Sequence, residues 1–284
     1  MIELLKDIQF VLVLYKEKLE NSESFNTISQ SIKKLNLIEP VSLFIYDNSP
    51  ISQKMPENNI WKIEYFHDSK NSGLSKAYNT AAQYAKEHNK KWLFLLDQDT
   101  VFPEDTIEKY LKTMSKHLNI CIFAPILNVE NGNITSPYQY KYRKRKVLKN
   151  ITPGIHSLKR TGPVNSGLCI SLEGFWNVGG YNEKVRVDGA DFQFIERFKR
   201  FDDKYYVLDI YAFQNLSHFE TNTDKLIERY RIFLRDVKAF EKFEKFDVWA
   251  NFSLKLKRTL KLTLQTKKIS FLRIFIKHFF TDNF

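Results

Sequence analysis

The stretch LFLLDQDT, Leu93 to Thr100, runs four apolar residues into two aspartates separated by one glutamine. Side chains alternate faces along a strand, so Asp97 and Asp99 point one way and Gln98 the other. Two carboxylates forced together repel unless a cation sits between or beyond them. The pair therefore reads either as solvated loop acids or as ligands for a hard divalent ion. Two other stretches carry comparable chemistry. Asp47 ends the apolar run Val41 to Tyr46, ahead of the turn residues Asn48, Ser49 and Pro50. The segment NSGLSKA, from Asn71, opens an Ala-rich helical pattern, and a helix start offers N–H groups to phosphate. Taken singly, each is an ordinary loop, turn or helix start. Together they provide an acid for a base or ribose, a helix start for phosphate and a carboxylate pair for Mg²⁺ or Mn²⁺. That combination describes a nucleoside diphosphate site. There is no GxGxxG, which argues against dinucleotide binding.

These residues need elements to hold them. Ile8 to Tyr15 and Val41 to Tyr46 are apolar runs of strand length, WKIEYFH reads as a third short strand and LFLLDQD as the fourth. Phe25, Ile28, Ile32 and Leu35 recur at helical spacing, with Ser22 or Ser24 as cap. Strand, helix, strand, strand, helix, strand predicts an α/β fold with a mixed, mostly parallel sheet flanked by helices. In open sheets of this kind ligands bind beyond the carboxyl ends of the strands, where all three candidate stretches fall. Past residue 100, FPEDTIEKYLKTMSKHL reads as a helix with Pro103 in its first turn, and ICIFAPIL as a strand. Residues 130–165 read as irregular and contain the basic run KYRKRK, Lys141 to Lys146. A loop that long tends to be functional or mobile. Asn165 to Arg200 is dense in glycine and acids.

At 43% hydrophobic and 27% charged residues the 284-residue chain has the make-up of a globular protein, which excludes disorder as its ground state. Its two cysteines, Cys121 and Cys169, lie in apolar runs; with no disulfide framework and no CxxC they fit a reducing compartment. Glu3, Lys6 and Asp7 interrupt the apolar start, and no run approaches about 18 apolar residues. The expected place is the cytoplasm, peripheral to the inner face of the cell membrane. The net charge of +11 needs an anionic partner. From Asn251 onward eight Lys and Arg residues stand against Asp282 alone. In ISFLRIFIKHFF, Leu272, Phe275, Ile276 and Phe279 share one helical face, opposite Ser270, Arg273 and Lys277. That reads either as a basic amphipathic helical tail on an anionic membrane surface or as a helix docking on the core or a second subunit. SLKLKRTLKLTL alternates more like a strand and stays open. Nucleic acid is not expected, because the charge lies on one tail and one loop without a binding module.

The ordered set VLYK, YDNS, NSGLSKAYN, LDQD, NSG, GGYNE and VDGADFQFIER resembles glycosyltransferase family 2, with its GT-A-type (Rossmann-like) domain, over about residues 8 to 236. The DQD form is most similar to the rhamnosyltransferase-like branch. The resemblance implies a GT-A domain over 1–220, with a nucleotide-sugar half (1–100) and an acceptor half (101–220), followed by a helical, basic region at 221–284. It implies that Tyr15 and Asp47 line the base and ribose, and that Asn71, Gly73, Lys76 and Asn79 lie near the diphosphate. Asp97 and Asp99 match the DxD motif, with Asp99 the direct metal ligand, and His218 completes the Mn²⁺ or Mg²⁺ site. Asn165, Ser166, Gly167, Tyr181 and Arg197 match the sugar and acceptor pocket, and Asp191 the catalytic base. Ala190 stands where many members carry an acid, Asp236 where many carry Asn, and Asp188 is a second candidate base.

A positioned carboxylate takes the proton of an acceptor hydroxyl as the new bond forms, and one base with a metal-held leaving group suits a single inverting displacement. The resemblance implies a nucleotide-sugar donor, dTDP-rhamnose first and a UDP-hexose or UDP-galactofuranose as alternative. It also implies a lipid-linked saccharide acceptor in cell-surface or capsular polysaccharide synthesis. Two blander readings stay open at this point: Asp191 as a helix N-cap, and His218 as a structural histidine. So do an inactive homologue and a basic α/β protein that binds membrane or nucleic acid without catalysis.

Overall fold

The computed structural model describes residues 2–128, 132–141, 144–214 and 222–280. The continuous apolar runs become strands β1 (Ile8–Leu14), β2 (Val41–Asp47), β3 (Trp61–His67) and β4 (Trp92–Leu96). Pairing is parallel in the order β3-β2-β1-β4. Helices α1 (Glu23–Lys33) and α2 (Leu74–Glu87) make the crossovers. β1 is buried along its whole length and feeds both faces: Val11 and Val13 enter the core under α2, while Phe10, Leu12 and Leu14 enter the one under α1. Phe10 stacks on Phe94 of β4 at 4.9 Å and meets Trp61 of β3 edge-on at 5.2 Å, which ties β4, β1 and β3 together across β2.

A two-residue strand β5 (Thr100–Val101) follows the DQD turn, and helix α3 (Thr106–Met114) begins later than Pro103. Pro103 lies outside that helix; its carbonyl instead accepts the Thr106 hydroxyl at 2.6 Å. β6 (Ile122–Asn128) is the expected buried strand. The segment read as irregular is mostly sheet. It holds β7 (Ile134–Lys141), β8 (Lys144–Leu148), β9 (Gly154–Ser157) and β10 (Thr161–Gly162), so the basic run lies on a β7–β8 hairpin. β11 (Cys169–Ser171) runs antiparallel between β4 and β6 and makes the sheet mixed. Short α4 (Leu172–Asn177) and α5 (Ala190–Phe201) precede the long strand β12 (Lys204–Gln214), parallel to β6.

The C-terminal region is helical: α6 (Thr223–Lys238), α7 (Asp247–Thr266) and α8 (Ser270–Phe280). SLKLKRTLKLTL is therefore helix, its alternation overridden by packing on α6. α8 buries Phe271, Phe275 and His278, while Ile276 and Phe279 stay 49% and 57% exposed. The apolar face expected for a free tail is thus rotated, and its buried edge is part of the main core with Tyr230 of α6. No helix among the described residues is long and apolar enough to cross a membrane.

Candidate active site

The chain leaves β4 and turns sharply at Asp97, Gln98 and Asp99. Gln98, pointing away from the aspartates, accepts the Tyr15 N–H at 2.8 Å and lashes the end of β1 to this turn. Ser22, the N-cap of α1, donates its hydroxyl to the Gln98 carbonyl, and Ser24 donates to the Thr100 carbonyl, both at 2.9 Å. The DQD turn is thus held from two sides through the backbone carbonyls of Gln98 and Thr100. Asp97 Oδ1 accepts the Tyr78 hydroxyl at 3.2 Å. Burial pushes the Asp97 carboxyl up to about 7, with the Asp99 charge next and Asp191 adding to it; the Tyr78 bond opposes the rise. Asp191, from another part of the chain, thus reaches Asp97 electrostatically.

Asp191 occupies the first turn of α5. The N-cap is Gly189, at φ +82°, so the N-cap reading of Asp191 is replaced. Its Oδ1 accepts the Phe192 N–H at 2.7 Å and Arg145 Nη2 of β8 at 2.5 Å. Beside it, Tyr181 stacks on Phe194 at 4.4 Å and donates its hydroxyl to Asn165 Oδ1 at 2.7 Å. Tyr78 packs against Tyr181 at 5.1 Å. Ser166 is buried and shares a hydrogen bond with Thr100 Oγ1 at 2.7 Å. Gly167, at φ +76°, lets the chain cross Pro125, whose Cγ would lie 2.6 Å from an added Cβ. Asp97, Tyr78, Tyr181, Asn165 and Asp191 thereby form one wall beyond the carboxyl end of β4, with Asp99 in the same turn.

A model of the family described as "Glycosyl transferase family 2" matches residues 28–172, just over half of the chain. The chain belongs to glycosyltransferase family 2. It is 24% identical over 187 residues to the dTDP-rhamnosyl transferase RfbF of Shigella flexneri, covering 65% of this chain and 60% of that protein; it thus spans less than two thirds of this curated relative. Among solved structures it is similar to S. aureus TarS 1-349 in complex with UDP-GlcNAc, with a TM-score of 0.55 and 13% identity, over 95% of this chain and 81% of that one. It is also similar to GalNAc-T7 with UDP, GalNAc and Mn²⁺, with a TM-score of 0.55 and 15% identity, over 79% and 48%. At these identities the two structures establish the shared GT-A-like fold.

Within this family member several residues expected at the ligand are spent inside the protein. The N–H groups of Asn71, Ser72, Gly73 and Leu74 donate to the Asp68 carbonyl (3.0 Å), Asp68 Oδ2 (2.8 Å), Asn48 Oδ1 (3.5 Å) and the Arg186 carbonyl (2.7 Å). The phosphate cradle read from NSG is therefore already filled by protein acceptors. Asn71, at φ +49°, contributes its carbonyl to the Arg186 guanidinium. Gly73 is required because its Cβ would meet the Arg186 carbonyl at 2.5 Å. Asn79 gives both ends of its amide to the Tyr181–Glu183 turn, and Lys76 pairs with Glu183 at 3.3 Å. Arg197 donates to the Val178 and Gly180 carbonyls and so holds the GGYNE turn.

Asp47 is fully buried and accepts the Ser49 N–H, the Gln53 amide and the Tyr65 hydroxyl. Burial raises its carboxyl, but the bonds from Ser49, Gln53 and Tyr65 outweigh it and hold the group below the usual range. Tyr15 remains 43% exposed at the end of β1. Asp188, the second candidate base, pairs with Arg229 at 3.2 Å and Arg258 at 3.5 Å, which ties the approach to α5 onto α6 and α7. His218 lies outside the described residues. Among those described, no group of three or more His, Cys, Asp or Glu side chains is placed to hold a metal.

Three contributors escaped the sequence reading. Gln98 looked like a spacer between aspartates, and its period-two position was the one available signal. Asp236 takes the N–H groups of Arg186, Val187 and Asp188 at 2.7–3.0 Å, which no local pattern announces. Arg145 was one cation in a basic run, and only strand pairing selects it.

Proposed function

We propose that the protein is an inverting, metal-dependent glycosyltransferase that moves a sugar from a nucleotide diphosphate donor to a saccharide acceptor. The observation that carries this reading is the wall of Asp97, Tyr78, Tyr181 and Asn165 beyond β4, with Asp99 in the same turn and Asp191 within electrostatic reach of Asp97, whose carboxyl burial and then Asp99 push up to about 7. Accumulated negative charge there calls for a cation. Mg²⁺ typically uses one or two carboxylates plus substrate phosphates, so Asp97 and Asp99 suffice to hold it without a third protein ligand. When bound, such an ion offsets charge growing on the departing diphosphate. Asp191 takes the proton from the acceptor hydroxyl, in a site whose wall is built by Tyr78, Tyr181 and Asn165. Tyr15, exposed beside the turn, offers its ring to the nucleotide base.

The matched relative supports dTDP-rhamnose as donor, with a UDP-hexose or UDP-galactofuranose as the second reading. The likeness to UDP-containing structures favours that second reading through fold alone. A thermal-shift panel of wild type and Asp99→Ala with dTDP, UDP and GDP, each with and without Mn²⁺, tests both. A ligand at a hundred times its dissociation constant stabilises by about 2.7 kcal/mol. The expected result is a metal-dependent shift with dTDP, or with UDP, that disappears in Asp99→Ala. Equal shifts without metal, or in the variant, overturn the metal-bridged site.

The acceptor is proposed to be lipid-linked, in cell-surface polysaccharide synthesis at the inner face of the cell membrane. Phe246, Trp249, Leu260 and Leu264 of the α7 region are 48–78% exposed, beside Lys257 and Lys261. Each basic residue near an anionic surface adds about 1 kcal/mol of attraction. Because α8 is part of the core, point changes test this better than truncation. Trp249→Ser with Leu264→Ser should weaken binding to phosphatidylserine vesicles; unchanged vesicle binding with loss of a dimer would assign the face to a second subunit.

A further inference from the structure

We propose that Arg145, on the β7–β8 hairpin, is the positioning residue for Asp191, gripping one carboxylate oxygen so that the other meets the acceptor hydroxyl. The inference rests on the assignment of Asp191 as base. Arg145 Nη2 and the Phe192 N–H both donate to Oδ1, at 2.5 and 2.7 Å. A carboxylate offers about four lone-pair directions over its two oxygens, so Oδ2 keeps its own for a hydroxyl. Two donors from different directions on one oxygen also fix the rotation of the group, and positioning of that kind decides whether a bound hydroxyl is in line. The Asp191 side chain is 14% exposed, so the grip holds a group that still opens toward the site.

Arg145 is itself held. Its guanidinium carbon lies 4.6 Å from the centre of the Tyr138 ring, and Tyr138 is buried. In the β7–β8 register Arg145 stands opposite position 140, two residues along β7 from Tyr138, so the cation and the Tyr138 ring are diagonal neighbours. Lys146 falls on the other face, opposite Gln139. Strand alternation thus singles out one cation from the basic run and aims it at α5. The groups around Asp191 are otherwise acidic or phenolic: Asp97 after β4, Tyr78 of α2, Tyr138 of β7 and Tyr181 before α5, with Asp188 within electrostatic reach of Arg145. Arg197 reaches Tyr181, and among the described residues Arg145 is the cation paired with Asp191 itself; an arginine fork suits the task better than a lysine point charge.

The test compares wild type, Arg145→Met, Arg145→Lys and Asp191→Asn. The readout is nucleotide release from dTDP-rhamnose, or from UDP-galactose if UDP alone shifts melting, with octyl glycosides as acceptors. Calorimetry with dTDP or UDP and Mn²⁺ supplies the nucleotide dissociation constant. Arg145→Met should lower kcat by about 10- to 100-fold, the scale of a misplaced reacting group, with donor KM and nucleotide affinity within about twofold. Arg145→Lys should recover part of that loss, because it restores the charge without the fork. A tenfold rise in donor KM at unchanged kcat would overturn the proposal and make Arg145 a diphosphate contact. Unchanged kcat and KM in Arg145→Met would overturn it as well. Wild-type turnover by Asp191→Asn would instead remove the assignment of the base, whatever Arg145 does. Arg145 is 43% exposed, so its replacement spares the core, and matching melting temperatures verify that the variants are folded.

Discussion

Asp97 and Asp236 are carboxylates that burial pushes upward, and their surroundings answer it differently. Asp236, 1% exposed on α6, receives three backbone N–H groups from residues 186–188. Asp97 receives one phenol at 3.2 Å and faces the charges of Asp99 and Asp191. One charge is answered by the chain that carries it; the other, on the proposed function, is answered by a bound cation. The difference separates scaffold from site. Asp188 sits with the scaffold, through Arg229 and Arg258, and Asp47 does too, through its three donors.

Changing members of each class sharpens that division. The largest effect belongs to the site. Asp191→Asn should reduce kcat by about 10²–10⁴, the usual contribution of a general base, with nucleotide affinity nearly intact. Simultaneous loss of nucleotide binding and thermal stability would move Asp191 into the scaffold. Next comes Asp236→Ala, which leaves three N–H groups without their acceptor and should cost about 3 kcal/mol in urea unfolding. A stable Asp236→Ala protein that fails only in nucleotide binding would break the comparison from the other side.

His278 supplies a third case, a buried base kept neutral. Burial lowers it to about 4, helped by Lys255, Lys238 and Arg235. Its folded value lies below its unfolded one, near 6.5, so between those values the unfolded chain binds the proton first. Its contribution is therefore intact above about pH 6.5 and falls as pH drops toward 4, by about 3 kcal/mol before solvent screening reduces it. His278→Phe should flatten that part of the stability profile; an unchanged slope would rule the residue out. The smallest effect is expected from Asp97→Asn at pH 8. Relief of repulsion from Asp99 should stabilise the ligand-free protein by about 1 kcal/mol while abolishing the metal-dependent nucleotide shift. A destabilised Asp97→Asn would mean the carboxylate serves the scaffold after all.

The parallel half was legible because β1, β2 and β4 are buried on both faces and read as unbroken apolar runs, the last two ended by Asp47 and Asp97, while β3 at the edge alternates. The acceptor half was not. β7 to β10 carry exposed and charged positions, and the sheet pairing that defines them joins residues far apart in sequence. The internal bonds of Asn79 and Arg197 were hidden for a related reason. Both bond to the GGYNE turn, which the sequence does not place beside them, and a Cβ added at Gly180, φ +66°, would lie 2.7 Å from the Asn79 amide oxygen.

The sequence by itself determined the strands of the parallel half, where the DQD turn falls and that the first turn of α5 carries an acid, because hydrophobic period, turn chemistry and helix starts are local properties. Which acids remain for a ligand was decided only by the tertiary structure. Asp188, Asp191 and Asp236 have the same side chain, and their roles diverge with the donors that folding brings from β8, α6, α7 and the 186–188 backbone. A carboxylate's function is set by what neutralises it, and its neutralising partner is seldom its neighbour in the chain.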